Sequence, residues 1–278
     1  MENEEKGLSR LRQLLGSQSK VAVAYSGGVD SSVVLKVARE ELGERAIAVM
    51  NVSPLTPPGE EELAIRTART MGVEPIITRA DPLEDAAFQA NPEDRCYRCK
   101  RIILGAIAAA VRERGDYSIV DGSQTDDLKE DRPGRRALAE AGVRSPLIEA
   151  GLGKNEVRSI ARQLSIPVAD RPANPCLATR IPFHQEVTMD KLQAVGESER
   201  VLLGMGLSNV RVRHHGAIAR IESPPEEISV IINNRERVVS ELKRLGFTYI
   251  VLDLQGFRSG SMSEALLPEW QRGPTLHY

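Results

Sequence analysis

The spacing of apolar and polar residues changes several times along the chain, and each change marks an element. Residues 20–25 (KVAVAY) are a short run of small and β-branched residues, as in a buried strand, and residues 31–43 continue as a helix. A second strand is predicted at 45–50 (RAIAVM). The stretch PPGEEELAIRTARTMG, 57–72, has prolines at its start and a glycine at its end, the punctuation of a helix. VEPIIT at 73–78 and DYSIVDGS at 116–123 read as strands, with a long helix over 95–114 between them, and KNEVRSIARQL at 154–164 is an amphipathic helix. Strands that alternate with helices predict an α/β fold with a doubly wound parallel sheet. Ligands of such sheets sit beyond the carboxyl ends of the strands, where the turn after the first strand falls.

The pattern changes after about residue 185. TMDKLQAVGESERVLLGMG reads as a helix with Thr188 as its N-cap. Two short strands, NVRVRHH and AIARIES, join at Gly216; PPEEISVIINNRERVVSELKRLG reads as one helix and FTYIVLDL as a last strand. This is a smaller α+β domain. The expected division is residues 1–180 and 181–278, with the three-proline loop 169–186 as the junction.

Composition narrows the function classes. Hydrophobic residues make up 41% and charged residues 27% of the 278, which is ordinary for a globular protein. A net charge of -2 gives no global pull toward nucleic acid or a membrane surface, so any anion site must be local. With no run of about 18 apolar residues, no membrane span is expected. The acidic start lacks the apolar core of an export signal, and a cytoplasmic location is expected. Three cysteines suit metal-binding or reactive thiols better than a disulfide scaffold.

The chemistry begins at SGGVDSS, 26–32. Gly27 and Gly28 let the backbone approach a ligand and turn N–H groups inward, and the helix N-terminus adds partial positive charge. Together these bind phosphate. Neither Gly-Lys-Ser/Thr nor G-x-G-x-x-G is present, so this is neither a Walker loop nor a dinucleotide fingerprint. The bland alternative is a Gly-rich turn whose serine or aspartate caps the helix. The string resembles the pyrophosphate loop (PP-loop) of ATP pyrophosphatases, a superfamily with an adenine nucleotide alpha hydrolase-like fold. That resemblance implies that Ser26, Gly27, Gly28, Asp30, Ser31 and Ser32 bind the pyrophosphate of ATP, with Asp30 helping to hold Mg²⁺. It also implies cleavage between the α- and β-phosphates, with AMP passing to a substrate oxygen.

The cysteines allow several readings. Cys96-x-x-Cys99 lies in NPEDRCYRCK and Cys176 in ANPCLATRIP. A structural zinc wants four ligands, and His184 is the nearest completing residue. Two unrelated cysteines at a helix start is the plain alternative. Three thiolates can also hold a 4Fe–4S cluster and leave one iron open for a sulfide, although clusters usually take four cysteines. Finally, Cys176 could attack directly and give up its own sulfur, becoming dehydroalanine. A PP-loop beside three cysteines suggests sulfur transfer: AMP activates an oxygen and sulfur displaces it.

Six segments then appear in order: SGGVDSS, NPEDRCYRCK, DGSQTDDLKEDRPGRRAL, NPCLATRIP, VRVRHHGAIARIE and LDLQGFRSGSMSE. This order resembles the LarE family, which makes the nickel-pincer nucleotide of lactate racemase, and the similarity runs from about residue 5 to 265. The resemblance implies action on a small-molecule partner, pyridinium-3,5-biscarboxylic acid mononucleotide, whose carboxylates become thiocarboxylates in two rounds. It implies a homo-oligomer, and a 4Fe–4S cluster on Cys96, Cys99 and Cys176, with a sulfide donor as a further partner and the sacrificial Cys176 route as the alternative. A PP-loop tRNA thiolase is the other alternative, against which the few cysteines and the charge speak. Lys129-Glu130-Asp131 departs from the Asp-Tyr commoner in the family before RPG.

Further candidates follow from the resemblance. Arg211 and Arg213 alternate with Val210 and Val212, and the family favours an anion clamp over a solvated strand face. Arg180 is a similar candidate, as are Arg258, Ser259 and Ser261 in a polar turn. Asp126 and Asp127 face the nucleotide or cap a helix. Of Glu197 and Glu199, the family match marks Glu199 as the one to touch a metal. His214, His215 and Trp270 have no metal or catalytic spacing.

Overall fold

Four small residues, Val21–Ala24, form the first strand (β1), and their size lets a second strand lie on each side and helices cover both faces. The structure is a computed structural model and describes residues 2–128 and 133–258. β1 pairs in parallel with Ala46–Asn51 (β2) on one side and Ser118–Val120 (β4) on the other, in the registers Val21↔Ala46 and Val21↔Ser118. Ile76–Thr78 (β3) lies outside β2, which makes the order β3-β2-β1-β4. The chain leaves β1 in one direction and returns on the other side. The strand order therefore reverses at β1, and the crevice beyond its carboxyl end is where such sheets bind ligands.

Apolar spacing decides which helix covers which face. Glu2–Gly16 (α1), Val29–Leu42 (α2) and Lys154–Gln163 (α6) bury Leu8, Leu11, Leu15, Leu35, Val157 and Ile160 with Val21 and Val23 of β1. Glu60–Thr70 (α3) adds Ala64 and Ala68 to the same core. Arg95–Arg112 (α4) covers the opposite face, placing Ile107 and Val111 against Ala22 and Val49. Pro133–Glu140 (α5) packs on α4 through Ala137 and Leu138 against Tyr97 and Leu104.

The chain divides into two compact units, residues 1–88 with 93–174, and residues 89–92 with the chain from 175 onward. In the second unit, Arg211–His215 (β5) runs antiparallel to Ile218–Glu222 (β6), and Tyr249–Leu252 (β7) runs parallel to β6. Met189–Leu203 (α7) starts at Thr188, whose Oγ1 accepts from the Lys191 N–H at 3.4 Å, as expected. The single helix expected after β6 is two, Ile228–Asn233 (α8) and Arg235–Arg244 (α9). Asn234 breaks them because its side chain donates to the Val230 carbonyl at 2.8 Å and competes with the helix ladder.

Two strands are shorter than their sequence pattern. β4 ends at Val120, where the sheet continues through a parallel bridge to Arg144: Asp121 N–H donates to the Arg144 carbonyl at 2.9 Å. β3 keeps only three residues of the expected six-residue strand. Among the described residues no helix is long and apolar enough to cross a membrane.

Leu35, fully buried in α2, sits at the centre of the larger core. Leu35→Ala is expected to lower the unfolding free energy by about 2–5 kcal/mol. Urea melts of the two proteins measure this, and a loss well under 1 kcal/mol, on the scale of the same rule, would contradict the packing described.

Candidate functional site

The turn between β1 and α2 is built so that no side chain blocks the helix start. Gly27 has φ 77°, and a Cβ there would lie 2.4 Å from the Ala64 Cβ of α3. That backbone region and that contact admit glycine alone. Gly28 precedes the helix in extended conformation and makes no side-chain cap. The hydroxyls are used within the loop: Ser26 Oγ and Ser31 Oγ lie 3.0 Å apart, Ser26 N–H donates to Ser31 Oγ at 3.2 Å, and Ser31 Oγ donates to the Gly28 carbonyl at 3.2 Å. Asp30 is half-buried in the first turn of α2.

Ser32 departs from its expected place on the pyrophosphate. It is fully buried, its Oγ 3.5 Å from the Tyr25 hydroxyl, which itself donates to the Ala64 carbonyl at 3.1 Å. It braces the loop from beneath. A residue not singled out within the segment DGSQTDDLKEDRPGRRAL completes the wall. A Cβ on Gly122, just past β4, would lie 2.6 Å from the Ser31 nitrogen and 2.9 Å from its Cα. The signals in the sequence are its place in that segment and a glycine two residues after a strand.

Parallel strands force each crossover helix to begin at the carboxyl edge of the sheet. α2 and α4 are both such crossovers, so the first turn of α4, with exposed Cys96 and half-buried Cys99, lies on the same edge as the glycine turn. The two cysteines are three apart, one helical turn. Asp126, expected at the nucleotide or at a helix cap, has its Oδ2 on the Lys154 N–H at 2.8 Å and so caps α6. Asp127 Oδ2 accepts from the Gln124 N–H at 3.0 Å, within its own turn.

The second unit gathers buried charge. Arg180 is fully buried; its Nε and Nη2 donate to the two oxygens of Glu199 at 2.9 and 3.0 Å, and Nη1 donates to the Pro175 carbonyl at 2.7 Å. Arg180 Nη1 also reaches the Cys176 carbonyl at 3.3 Å, which fixes the backbone of half-buried Cys176. Glu199 Oε1 takes the Val212 N–H as well, at 3.0 Å. Arg213 donates twice to Glu222 Oε2, at 2.9 and 2.7 Å, and to the Thr179 carbonyl at 3.1 Å. Arg211 donates to the Val210 carbonyl at 2.8 Å, and its guanidinium lies 5.2 Å over the Phe257 ring. Burial, then the positive charges of Arg180 and Arg213, push the Arg211 guanidinium down to about 10. These arginines are not on a solvated strand face: Arg211 and Arg213 are 5% and 6% exposed.

No family model matches the chain. It is 36% identical to the pyridinium-3,5-bisthiocarboxylic acid mononucleotide synthase of Lactiplantibacillus plantarum over 248 residues, 89% of this chain and 90% of that one. The chain belongs to the LarE family. An uncharacterized protein of Synechocystis sp. is 40% identical over 94% of this LarE chain and 98% of its own. A subunit of the glutamine-hydrolyzing GMP synthase of Archaeoglobus fulgidus is 27% identical over 71% of this chain and 68% of its own, in keeping with the PP-loop fold described.

In this LarE chain Glu199, expected at a metal, gives both oxygens to Arg180 and one also to a backbone N–H; a metal would have to displace the guanidinium. Glu197 pairs instead with Arg200 on the exposed side of α7. Arg258 lies 3.7 Å from Asp253 in the turn after β7, and Ser259, Ser261 and Trp270 lie outside the described residues. His214 packs against Phe247 in a tilted arrangement with ring centroids 5.3 Å apart, and burial lowers its pKa and that of His215. Among the described residues no group of three or more His, Cys, Asp and Glu side chains that could hold a metal ion comes together.

Glu199→Ala would take away the carboxylate that faces buried Arg180, and is expected to destabilise the protein by about 3–5 kcal/mol in chemical denaturation. A change below about 1 kcal/mol, well under the range for a broken buried pair, would favour a metal-ligand role over this pairing. Arg211→Met is expected to raise the melting temperature of the ligand-free protein, since it replaces a desolvated cation with an apolar side chain of similar volume. It should also abolish any further rise caused by inorganic phosphate. A phosphate-induced rise that survives the substitution would exclude Arg211 as an anion group.

Proposed function

We propose that this chain is an ATP-dependent sulfurtransferase that converts the carboxylates of pyridinium-3,5-biscarboxylic acid mononucleotide into thiocarboxylates. One observation carries the reading: near chain-long similarity to a named pyridinium-3,5-bisthiocarboxylic acid mononucleotide synthase, in a chain whose glycine turn is shaped for phosphate. The chemistry is a two-step exchange. A substrate carboxylate oxygen attacks the α-phosphorus of ATP, and the bond to pyrophosphate breaks. Hydrosulfide then attacks the acyl carbon, the bond to AMP breaks, and a proton is lost to leave the thiocarboxylate. The first step makes a poor leaving group into a good one.

Each residue group has a stated part. The backbone of Ser26, Gly27 and Gly28 and the start of α2 receive the β- and γ-phosphates, and preorganised donors of this kind act most strongly where charge develops. Asp30 is the carboxylate suited to Mg²⁺, which would neutralise those phosphates. In the second unit Arg180, Arg211 and Arg213 form the anion-recognising set for the substrate's phosphate and carboxylates. Among the described residues of that unit these three arginines are buried, and guanidinium groups suit bidentate recognition of anions.

Cys96, Cys99 and Cys176 suit a 4Fe–4S cluster in donor chemistry. All three are thiols, and two are spaced one turn apart at a helix start rich in Arg95, Arg98, Lys100 and Arg101. When bound, such a cluster supplies the sulfide through an iron that no cysteine occupies. A sulfide-donating partner, a homo-oligomeric assembly, a cytoplasmic location and a division of labour between residues 1–180 and 181–278 belong to the same reading.

Anaerobic reconstitution with iron and sulfide is expected to give a brown protein with about four irons. Cys96→Ala, Cys99→Ala and Cys176→Ala should each lose the colour. A colourless protein that forms product while its mass falls by one hydrogen sulfide would replace the cluster with sacrifice of Cys176. ATP hydrolysis that is indifferent to the pyridinium mononucleotide would overturn the substrate.

A further inference from the structure

The phosphate turn lacks a cation. YSGGVDSS, 25–32, has no lysine or arginine, and Asp30 adds negative charge to the first turn of α2. Yet the pyrophosphate that leaves in adenylation gathers charge as the bond to the α-phosphorus breaks. Sites that transfer phosphoryl groups meet this with a positioned cation beside the backbone donors. Beside the Mg²⁺ proposed at Asp30, a protein cation for the leaving pyrophosphate has to come from outside this turn, and one stands on a neighbouring element of the first unit.

Lys100 stands one residue past Cys99 on α4, and its Nζ lies 3.8 Å from Asp121 Oδ2. Asp121 ends β4, is 6% exposed, and is held by the Ser145 hydroxyl at 2.7 Å and the Ser123 N–H at 3.2 Å. The next residue, Gly122, is the one whose missing Cβ allows contact with the Ser31 nitrogen at the start of α2. The lysine head is thus tethered one residue from the phosphate turn. Its stem is guided as well: a Cβ on Gly134 of α5 would lie 3.4 Å from Lys100 Cδ. The tether itself is weak: at 3.8 Å, with the lysine side chain 39% exposed, the pair is a solvent-screened surface contact. Such a head can leave Asp121 for a more highly charged partner at little cost.

We infer that Lys100 is a catalytic cation of the adenylation step: it moves from Asp121 to the phosphates of ATP and stabilises the departing pyrophosphate. Asp121 is the positioning residue that parks it at the mouth of the turn. This rests on the adenylating reading above and adds to it a group that carries charge in the transition state. One stretch of α4 then serves both half-reactions, with thiols for sulfur and an ammonium for pyrophosphate.

Pyridinium-mononucleotide-dependent ATP–pyrophosphate exchange in the cluster-reconstituted full chain tests it. The wild type must exchange; if it does not, the adenylating reading falls and this inference with it. Given exchange, Lys100→Ala and Lys100→Gln are expected to lower kcat about 100-fold, the cost of losing one preorganised charge-stabilising donor. KM for ATP should move by less than about threefold, since the interaction forms mainly as the bond breaks. Lys100→Arg, which keeps the charge, should recover most of the rate. Iron content and visible absorption should be unchanged in all three. Full exchange in Lys100→Ala would overturn the assignment, because the ion pair would then be a surface contact. Loss of iron in step with loss of exchange would overturn it too, because Lys100 would then serve the thiols. Failure of arginine to rescue would argue against a charge role and would likewise reject it.

Discussion

The first unit depends on a close approach of backbone to backbone at the start of α2. Three segments meet there: the turn after β1, α3 through Ala64, and the loop after β4 through Gly122. A methyl group at Gly27 would fall 2.4 Å from Ala64, and one at Gly122 would fall 2.6 Å from the Ser31 nitrogen. Neither neighbour is the flexible end of a side chain, so neither can yield without moving an element. The result is a helix terminus walled by main chain, with its dipole undiluted by side-chain bulk. The hydroxyls of Ser26 and Ser31 bond one another and so hold the turn's shape before any ligand arrives. Donors held this way need no rearrangement when charge appears, which is where electrostatic catalysis gains most.

The second unit meets a different constraint. Among its described residues buried arginines gather, and each buried carboxylate is shared: Glu199 serves Arg180 and a strand N–H, while Glu222 serves Arg213 and Arg220. Arg211 donates to a backbone carbonyl, lies over an aromatic ring and holds its proton less tightly than usual. A folded protein gains little stability from such a group, because desolvating an ion costs more than contacts of this kind return. In the proposed reaction that cost would be offset by an anion with bidentate oxygens, a geometry that arginine fits better than lysine.

Most elements of the first unit were readable because their physics is local. The small, β-branched run at 21–24 can only be a strand covered on both faces, and the 3.6-residue spacing of Ile103, Ile107 and Val111 marks the buried stripe of α4. The glycine turn was readable because φ > 0 and close approach leave few choices of residue. What failed to show was tertiary. Alternation in VRVRHH suggested one dry and one wet face, but Arg211 and Arg213 are both buried, Arg213 paired with Glu222 and Arg211 packed over Phe257, and hydropathy cannot register an arginine held that way. Ser32 looked like part of the phosphate loop because the string SGGVDSS is continuous; helix periodicity turns it inward, beneath Tyr25. Gly122 lies in the segment DGSQTDDL, but the need for glycine there was not readable, because it arises from a contact with residue 31, ninety-one positions away in the chain.

Topology puts the start of α4, with Cys96 and Cys99, on the same edge of the first unit as the glycine turn. In a parallel sheet every crossover helix starts where the preceding strand ends, so α2 and α4 must open on the same side. The sheet then acts as a ruler. α4 is held on one face by Ile107 and Val111, α2 on the other by Leu35 and its neighbours, and neither can slide without opening a core. Cys96 and Cys99 therefore sit on a rigid support, not on a loop, and functional groups on rigid elements hold their geometry best. A loop would have let the thiols and the phosphate turn drift apart. In the proposed reaction sulfur has to reach the activated carbon before water does, and a fixed spacing between the two helix starts would favour that order.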